Sequence, residues 1–451
     1  MAWNAIGNHA CWGNLQFTST TTNTCPMLQS FLPIPSHSDF PLENVPFGSI
    51  TRSSGVEVCA SRIGDQVIDL SALQQLGYFD ALDLPNGLFN QALLNDFIAM
   101  GQTTWRAVRS SLQALFSAGS ALEGSNHMDE IVLALTDVDV NLPIHIPDYT
   151  DFYSSIEHAT NVGTMFRDPN NALLPNWLHI PVGYHGRSST IMPSGTPIHR
   201  PNGQRKAPSD DKPTFGPSIK VDFELEIAFI TGSGPTGGSS IAVDQAESHI
   251  FGLALFNDWS ARDIQQWEYV PLGPFLAKNF ASSMSPWIVT LDALAPFRTP
   301  APSQDDVQPL PYLQQDRSAC NLDIQLDVSI TPEKGQATHI SSSNFKYMYW
   351  SMAQQLAHHS INGCLIQAGD TMASGTISGK DKGSYGSMLE LSWNGTEPIA
   401  MKGGGQRSFI EDGDTVTMTG HSEKAGLRIG FGEVSAKLLP AQPWNDLTTK
   451  K

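Results

Sequence analysis

Apolar and polar residues along the chain are patterned for strands more than for helices. Alternation marks Val56-Glu57-Val58-Cys59-Ala60 and Gln66-Val67-Ile68-Asp69-Leu70 as strands separated by a glycine turn. Apolar residues at helical spacing follow over residues 97–115. Pro143 and Pro147 then punctuate a short linker. Beyond it, strand-like runs dominate, at residues 221–230, 250–256, 322–330, 389–393 and 415–419. One helix is expected over 345–359, with apolar and aromatic residues on one face. The Pro-rich stretch at 296–311 is expected to be an irregular surface loop. Few helices are left to serve as crossovers, so the larger unit is expected to be β-rich rather than a doubly wound parallel sheet.

Composition narrows the function classes. The 451 residues carry a net charge of −18, which disfavours nucleic acid and anionic membrane surfaces as partners, since both are met by clustered Lys and Arg. Charged residues make up 16% and hydrophobic ones 40%, enough for a large core without disulfide staples. The five cysteines (Cys11, Cys25, Cys59, Cys320, Cys364) are scattered and form no CxxC pair, which fits a reducing compartment. No stretch approaches the roughly 18 apolar residues of a spanning helix. The first Lys or Arg is Arg52, so neither a secretory signal nor an Arg-rich presequence is expected and a cytoplasmic location is. Four parts are expected: a disordered Ser/Thr-rich extension at 1–36, a small domain at 37–142, a catalytic unit at 143–445 and a tail at 446–451.

The most informative segment is Val221-Asp222-Phe223-Glu224-Leu225-Glu226-Ile227-Ala228-Phe229. Alternation places the apolar side chains on one strand face and Glu224 with Glu226 on the other. Two neighbouring carboxylates in so apolar a segment need compensation. A divalent cation with oxygen ligands (Mg²⁺, Ca²⁺ or Mn²⁺) would supply it, and so would a solvated face with Lys or Arg across the strand pair. The segment alone leaves both open. The run at 250–256 ends in Asn257-Asp258-Trp259-Ser260-Ala261-Arg262-Asp263, a carboxylate just past a buried strand. Asp148-Tyr149-Thr150-Asp151-Phe152-Tyr153 opens the large unit and leads to Glu157-His158, where His158 is either a general base or an ordinary hydrogen-bonded histidine. His358-His359 and His179/His185 lack HExxH-type spacing. Gly232-Ser233-Gly234-Pro235-Thr236-Gly237 satisfies GxGxxG but runs into Gly238-Ser239-Ser240, poor material for the helix that dinucleotide binding requires, so it is expected to be a turn. Asn394-Gly395-Thr396 matches a glycosylation sequon by chance. There is no Walker A motif and no GxSxG elbow.

Taken together, these segments resemble the fumarylacetoacetase family, the last hydrolases of tyrosine and phenylalanine breakdown. The resemblance rests on Asp148-Tyr149-Thr150-Asp151-Phe152-Tyr153-Ser154-Ser155, His158-Ala159-Thr160-Asn161-Val162-Gly163, Pro181-Val182-Gly183-Tyr184-His185-Gly186-Arg187, the uninterrupted residues 257–275, Ala373-Ser374-Gly375-Thr376-Ile377-Ser378-Gly379 and Gly386-Ser387-Met388-Leu389-Glu390-Leu391-Ser392-Trp393. It covers residues from about Ser36 to Pro440. It implies an SH3-like N-terminal barrel followed by a mixed β-sandwich-roll catalytic domain, a homodimer, and hydrolysis of the carbon–carbon bond of a small dianionic diketo acid. By position it implies metal ligands Asp151, Glu224, Glu226 and Asp258, holding Ca²⁺. A nearby Mg²⁺ is implied beside Asp258, Lys278 and Ser282, with Ser282 standing where relatives often carry Thr. Mn²⁺ is a possible substitute. His158 matches the base and Glu390 its orienting carboxylate. Tyr153, Arg167, Tyr184, Tyr269 and Thr376 match substrate contacts, and Arg262, Gln265 and Lys278 match groups around the reacting oxygens. Competing readings are a related acylpyruvate hydrolase or oxaloacetate-type decarboxylase, a non-catalytic fold mate with a structural cation, and, distantly, a dinucleotide binder.

Overall fold

The computed structural model describes residues 27–167 and 169–444. Most of the expected extension and all of the tail at 446–451 lie outside the described residues. Within residues 27–36, also assigned to the extension, Ser30, Phe31 and Leu32 pack against the N-terminal unit. Phe31 stacks on Phe116 with ring centroids 5.7 Å apart, Leu32 is buried, and Ser30 forms a β-bridge to Ser117. Two apolar side chains at the end of a polar run are enough to dock it.

The N-terminal unit is an antiparallel sheet in the order Val132–Ala134, Gln66–Asp69, Glu57–Ile63, Phe47–Arg52, Val138–Val140, a small barrel left open between its two short outer strands. The helical periodicity at 97–115 becomes two helices, Asn95–Ala99 and Gln102–Phe116. Gly101 separates them at φ 84°, a left-handed conformation that costs glycine least.

The larger unit is built on a mixed sheet in the order Gly183–His185, Tyr149–Phe152, Thr371–Ala373, Leu225–Thr231, Ile250–Asp258, Ser282–Met284, Ile191–Pro193. Tyr149–Phe152 runs parallel to Thr371–Ala373, and Ser282–Met284 parallel to Ile191–Pro193; the other pairs in that order are antiparallel. A second sheet, Thr338–Asn344, Gln325–Thr331, Thr415–Lys424, Leu427–Leu439, Ile198–His199, packs against it. The two central strands are buried along their whole length, as near-continuous apolar runs require. Leu225, Ile227 and Phe229 meet Leu326, Val328, Met418 and Phe431 of the second sheet. On the opposite face, Ala228, Ile230 and Phe256 join Phe47, Phe97 and Trp105 of the N-terminal unit. A bulge leaves Phe251 unpaired between Gly252, opposite Ile230, and Ile250, opposite Thr231. The freed ring drives into the N-terminal core, 5.6 Å from Phe47, 5.7 Å from Phe97 and 5.1 Å from Trp105. Each such ring, fully buried, contributes about 1.5–3 kcal/mol.

Several expected elements differ. The run at 221–230 is interrupted: Val221–Asp222 pairs with Ser260–Ala261, and the main strand begins at Leu225. The run at 322–330 is likewise split into Asn321–Leu322 and Gln325–Thr331. The strand expected at 389–393 is instead a short helix, Met388–Leu391, capped by the Ser387 hydroxyl on the Glu390 amide. The helix expected over 345–359 is a 3₁₀ turn at Phe345–Tyr347 followed by Met352–Ser360, which starts at a capping box between Ser351 and Gln354. The GxGxxG stretch is a turn, and its first two glycines serve packing. A Cβ on Gly232 would lie 2.8 Å from the Trp105 ring, and one on Gly234 would lie 2.9 Å from Ile366.

Asp370 clips the strand that carries Asp151 into this sheet. Its carboxylate accepts the Asp148 and Gln367 amides at 3.1 and 2.8 Å. Burial, aided by the charge of Asp148, pushes its pKa up to about 6 against the opposing pull of those two amides. A carboxyl whose pKa is higher in the folded state favours folding below its unfolded pKa and loses that contribution as pH rises through about 6. The thermal-unfolding difference between the parent and Asp370→Asn should therefore shift in the variant's favour from about pH 5 to about pH 8. A pH-independent difference would show that Asp370 does not titrate across folding.

Candidate active site

The four carboxylates that the resemblance implies as metal ligands come together at one end of the mixed sheet. Register explains it. Glu226 lies opposite Phe256, Asp151 opposite Ala373, and Asp258 opposite Ser282, so their side chains share the face that also carries Phe256 and Ala373. One oxygen from each of Asp151, Glu224, Glu226 and Asp258 lies within 4.8 Å of the others, and all four residues are buried. Gly375 completes the cradle by donating its amide to Glu226 Oε2 at 3.0 Å. It stands at φ 77° with the Phe152 carbonyl oxygen only 2.2 Å from where a Cβ would sit, so no side chain fits there.

Two buried cations answer part of this charge. Lys278 Nζ donates to Glu224 Oε2 and, at 2.7 Å, to Asp258 Oδ2. Arg262 donates from Nη1 to Glu224 Oε1 at 2.7 Å and to Gln265 Oε1 at 3.3 Å, and from Nε to Asp222 Oδ2 at 2.8 Å. Ser282 Oγ and the Tyr184 hydroxyl donate to the two oxygens of Asp258 at 2.7 and 3.3 Å. Burial would raise the Glu224 carboxyl, but Lys278 and Arg262 outweigh it and hold the group well below the usual range. Asp151 and Glu226 go the other way. Burial first, then their carboxylate neighbours, push both well above the ordinary range.

Five buried carboxylates therefore face two fixed cations. Asp151 Oδ1 and Glu226 Oε1 are buried without a hydrogen-bond partner. Orphaned carboxylate oxygens in an all-oxygen set fit a hard divalent cation. Of the two ways of compensating Glu224 and Glu226 left open by the sequence, the structure has Lys and Arg at Glu224 and room for a cation at Glu226. The face is not solvated.

Beside the cluster lies a histidine–carboxylate dyad. His158 sits in the first turn of Ile156–Phe166, its amide held by the Ser155 cap at 3.2 Å. Its Nδ1 is 2.7 Å from Glu390 Oε2. Glu390 also accepts from Asn161 at 2.9 Å, Ser378 at 2.9 Å and Ser387 at 2.8 Å. Burial alone would raise this carboxyl, but His158, Asn161 and Ser387 hold it below the ordinary range. A carboxylate anion can only accept, so Nδ1 carries the proton in this pair and the lone pair of a neutral ring lies on Nε2. The two halves are joined through the backbone, because Glu224 forms a β-bridge to Ser387.

The remaining expected substrate contacts are placed as follows. The Tyr153 ring meets His158 edge-on at 5.2 Å. Thr376 is buried with its hydroxyl unpartnered. Arg167 is exposed, with its guanidinium on the Ala172 carbonyl at 2.7 Å, and Tyr269 is 51% exposed just past the helix that carries Arg262 and Gln265. Asn161, Ser378, Ser387 and Asp222 were not singled out in the sequence. Their signals were present: Ser387 and Glu390 form an S-x-x-E capping pattern, and Asp222 precedes Glu224 at strand spacing.

The family model of the fumarylacetoacetate (FAA) hydrolase C-terminal region matches residues 149–438, and that of the fumarylacetoacetase N-terminal region matches residues 43–143. Fumarylacetoacetase of Rattus norvegicus and that of Homo sapiens are each 50% identical over 416 residues, covering 91% of this chain and 99% of theirs. That of Caenorhabditis elegans is 49% identical over 420 residues, covering 92% of this chain and 100% of its own. A solved fumarylacetoacetate hydrolase from psychrophilic Exiguobacterium antarcticum is 18% identical, with a TM-score of 0.48, over 88% of this chain and 100% of that one. With half its residues identical across nearly the whole length of these enzymes, and both family regions present in order, the chain belongs to the fumarylacetoacetate hydrolase family.

Proposed function

We propose that this protein is a fumarylacetoacetase, which cleaves the carbon–carbon bond of 4-fumarylacetoacetate with water to give fumarate and acetoacetate. The observation that carries the reading is the buried His158–Glu390 dyad set beside the four-carboxylate cluster, in a chain half identical to fumarylacetoacetases. His158 Nε2 takes a proton from water, while Glu390 holds the ring in one tautomer and balances the imidazolium that forms. Asp151, Glu224, Glu226 and Asp258 would hold a divalent cation, which would supply Lewis-acid polarisation of the substrate. Arg262 and Lys278 offer positive charge where the alkoxide and then the departing enolate develop, and Gln265 adds polar contact. The imidazolium returns its proton to the acetoacetate carbon, so atoms and charge balance. Tyr153, Arg167, Tyr184, Tyr269 and Thr376 are the proposed contacts for the rest of the dianion.

The finer parts of the reading rest on the resemblance: Ca²⁺ as the resident ion with Mg²⁺ beside Lys278 and Ser282, a cytoplasmic homodimer, and a place at the end of tyrosine and phenylalanine breakdown. Among the described residues, no helix is long and apolar enough to cross a membrane. The test is loss of the diketone ultraviolet absorbance with and without a chelator. Turnover that a chelator removes and Ca²⁺ or Mg²⁺ restores is expected. No turnover by folded, metal-loaded protein overturns the reading.

A further inference from the structure

We infer that Asp222 is a positioning residue that acts on the reaction through Arg262. Asp222 is fully buried, and both its oxygens are used. Oδ1 accepts the Met388 amide at 2.7 Å, and Oδ2 accepts the Leu389 amide at 2.9 Å and Arg262 Nε at 2.8 Å. The carboxylate is thus fixed by backbone from the turn that carries Glu390, and in turn fixes the guanidinium. Arg262 is held at Nε by Asp222 and at Nη1 by Glu224 and Gln265. Its Nη2 is buried and without a partner. Two anchored edges determine where the third nitrogen points, because the guanidinium is planar and rigid. The unpartnered Nη2 is the donor left for charge that arrives only with the substrate, and Asp222 sets its direction. A donor that is present but turned away loses most of its effect on the transition state.

Asparagine at 222 is isosteric, but its NH₂ group must face either the Met388 amide or both the Leu389 amide and Arg262 Nε–H, so in either orientation Arg262 loses the charged acceptor that the turn holds in place. This inference rests on the hydrolase reading, and wild-type turnover tests that reading separately. Four proteins are compared with 4-fumarylacetoacetate in saturating Ca²⁺: parent, Asp222→Asn, Arg262→Gln and the double variant. Asp222→Asn should lower kcat by roughly 30- to 100-fold with a smaller change in KM, and the double variant should be no slower than Arg262→Gln alone. The double variant pairs two neutral amides and leaves no buried lone charge, so it remains informative if Asp222→Asn fails to fold. Equal kcat/KM for Arg262→Gln and the double variant supports the inference. A further drop of about tenfold or more in the double variant, or a near-parental rate for Asp222→Asn, overturns it.

Discussion

His158→Ala lowers kcat by roughly 10²–10⁴-fold while leaving cation binding and fold intact. The size follows from the proposed role of the side chain: without a base there, water would lose its proton to bulk solvent. Retention of the cation follows from the layout. His158 belongs to the Ile156–Phe166 helix and bonds to Glu390, whereas the four candidate ligands come from strands of the mixed sheet or the residues flanking them. The variant also leaves Glu390 with donors from Asn161, Ser378 and Ser387, so no carboxylate is stranded. The checks are kcat at saturating substrate and the thermal shift given by added Ca²⁺. A near-full rate would remove His158 from the role of base.

Glu226→Gln has an effect of similar size by a different route, and it separates stability from activity. In the cation-free protein Glu226 is raised by burial and by Asp151, Glu224 and Asp258. A carboxyl with a raised folded-state pKa contributes stability below its unfolded pKa and loses it as pH rises, so the cation-free parent is expected to melt lower as pH climbs above the carboxylate range. Added divalent cation offsets this, by about 2.7 kcal/mol at a hundredfold excess over Kd, and its stabilising effect grows with pH because bound protons must leave. Glu226→Gln removes one repelling charge. The cation-free variant should melt higher than the cation-free parent above neutral pH, yet lose most of the cation-induced shift and at least about 100-fold of activity. Melting curves with chelator and with Ca²⁺ across pH check both halves. An unchanged cation-induced shift would exclude Glu226 as a ligand.

The strand faces and the Glu224–Glu226 pair were legible from local periodicity, whereas the full ligand set and the dyad were implied by the family resemblance. Strand alternation separated Leu225, Ile227 and Phe229 from Glu224 and Glu226, and the structure keeps that division even though the strand breaks before Leu225. What escaped were features decided at a distance. Residues 389–393 have the composition of a strand, but Ser387 and the carboxylate of Asp222, far away in sequence, supply acceptors for a helical first turn. The helix at Met352 begins seven residues late because Ser351 and Gln354 cap it there, a signal stronger than the apolar residues before it. No spacing rule could have shown that Arg262 and Lys278 would share Glu224, because those partners are 38 and 54 positions away.

The face of the mixed sheet that presents the carboxylates is also the face that the N-terminal unit covers. Phe256 lies directly opposite Glu226, and its neighbours on that side pack against Phe47, Phe97 and Trp105. The smaller unit therefore braces, at Phe251, the far end of the strand that carries Asp258. A substitution at Phe97 or Trp105 would leave every reacting group in place, yet it would loosen the packing around Phe251, on the strand that carries Phe256 and Asp258.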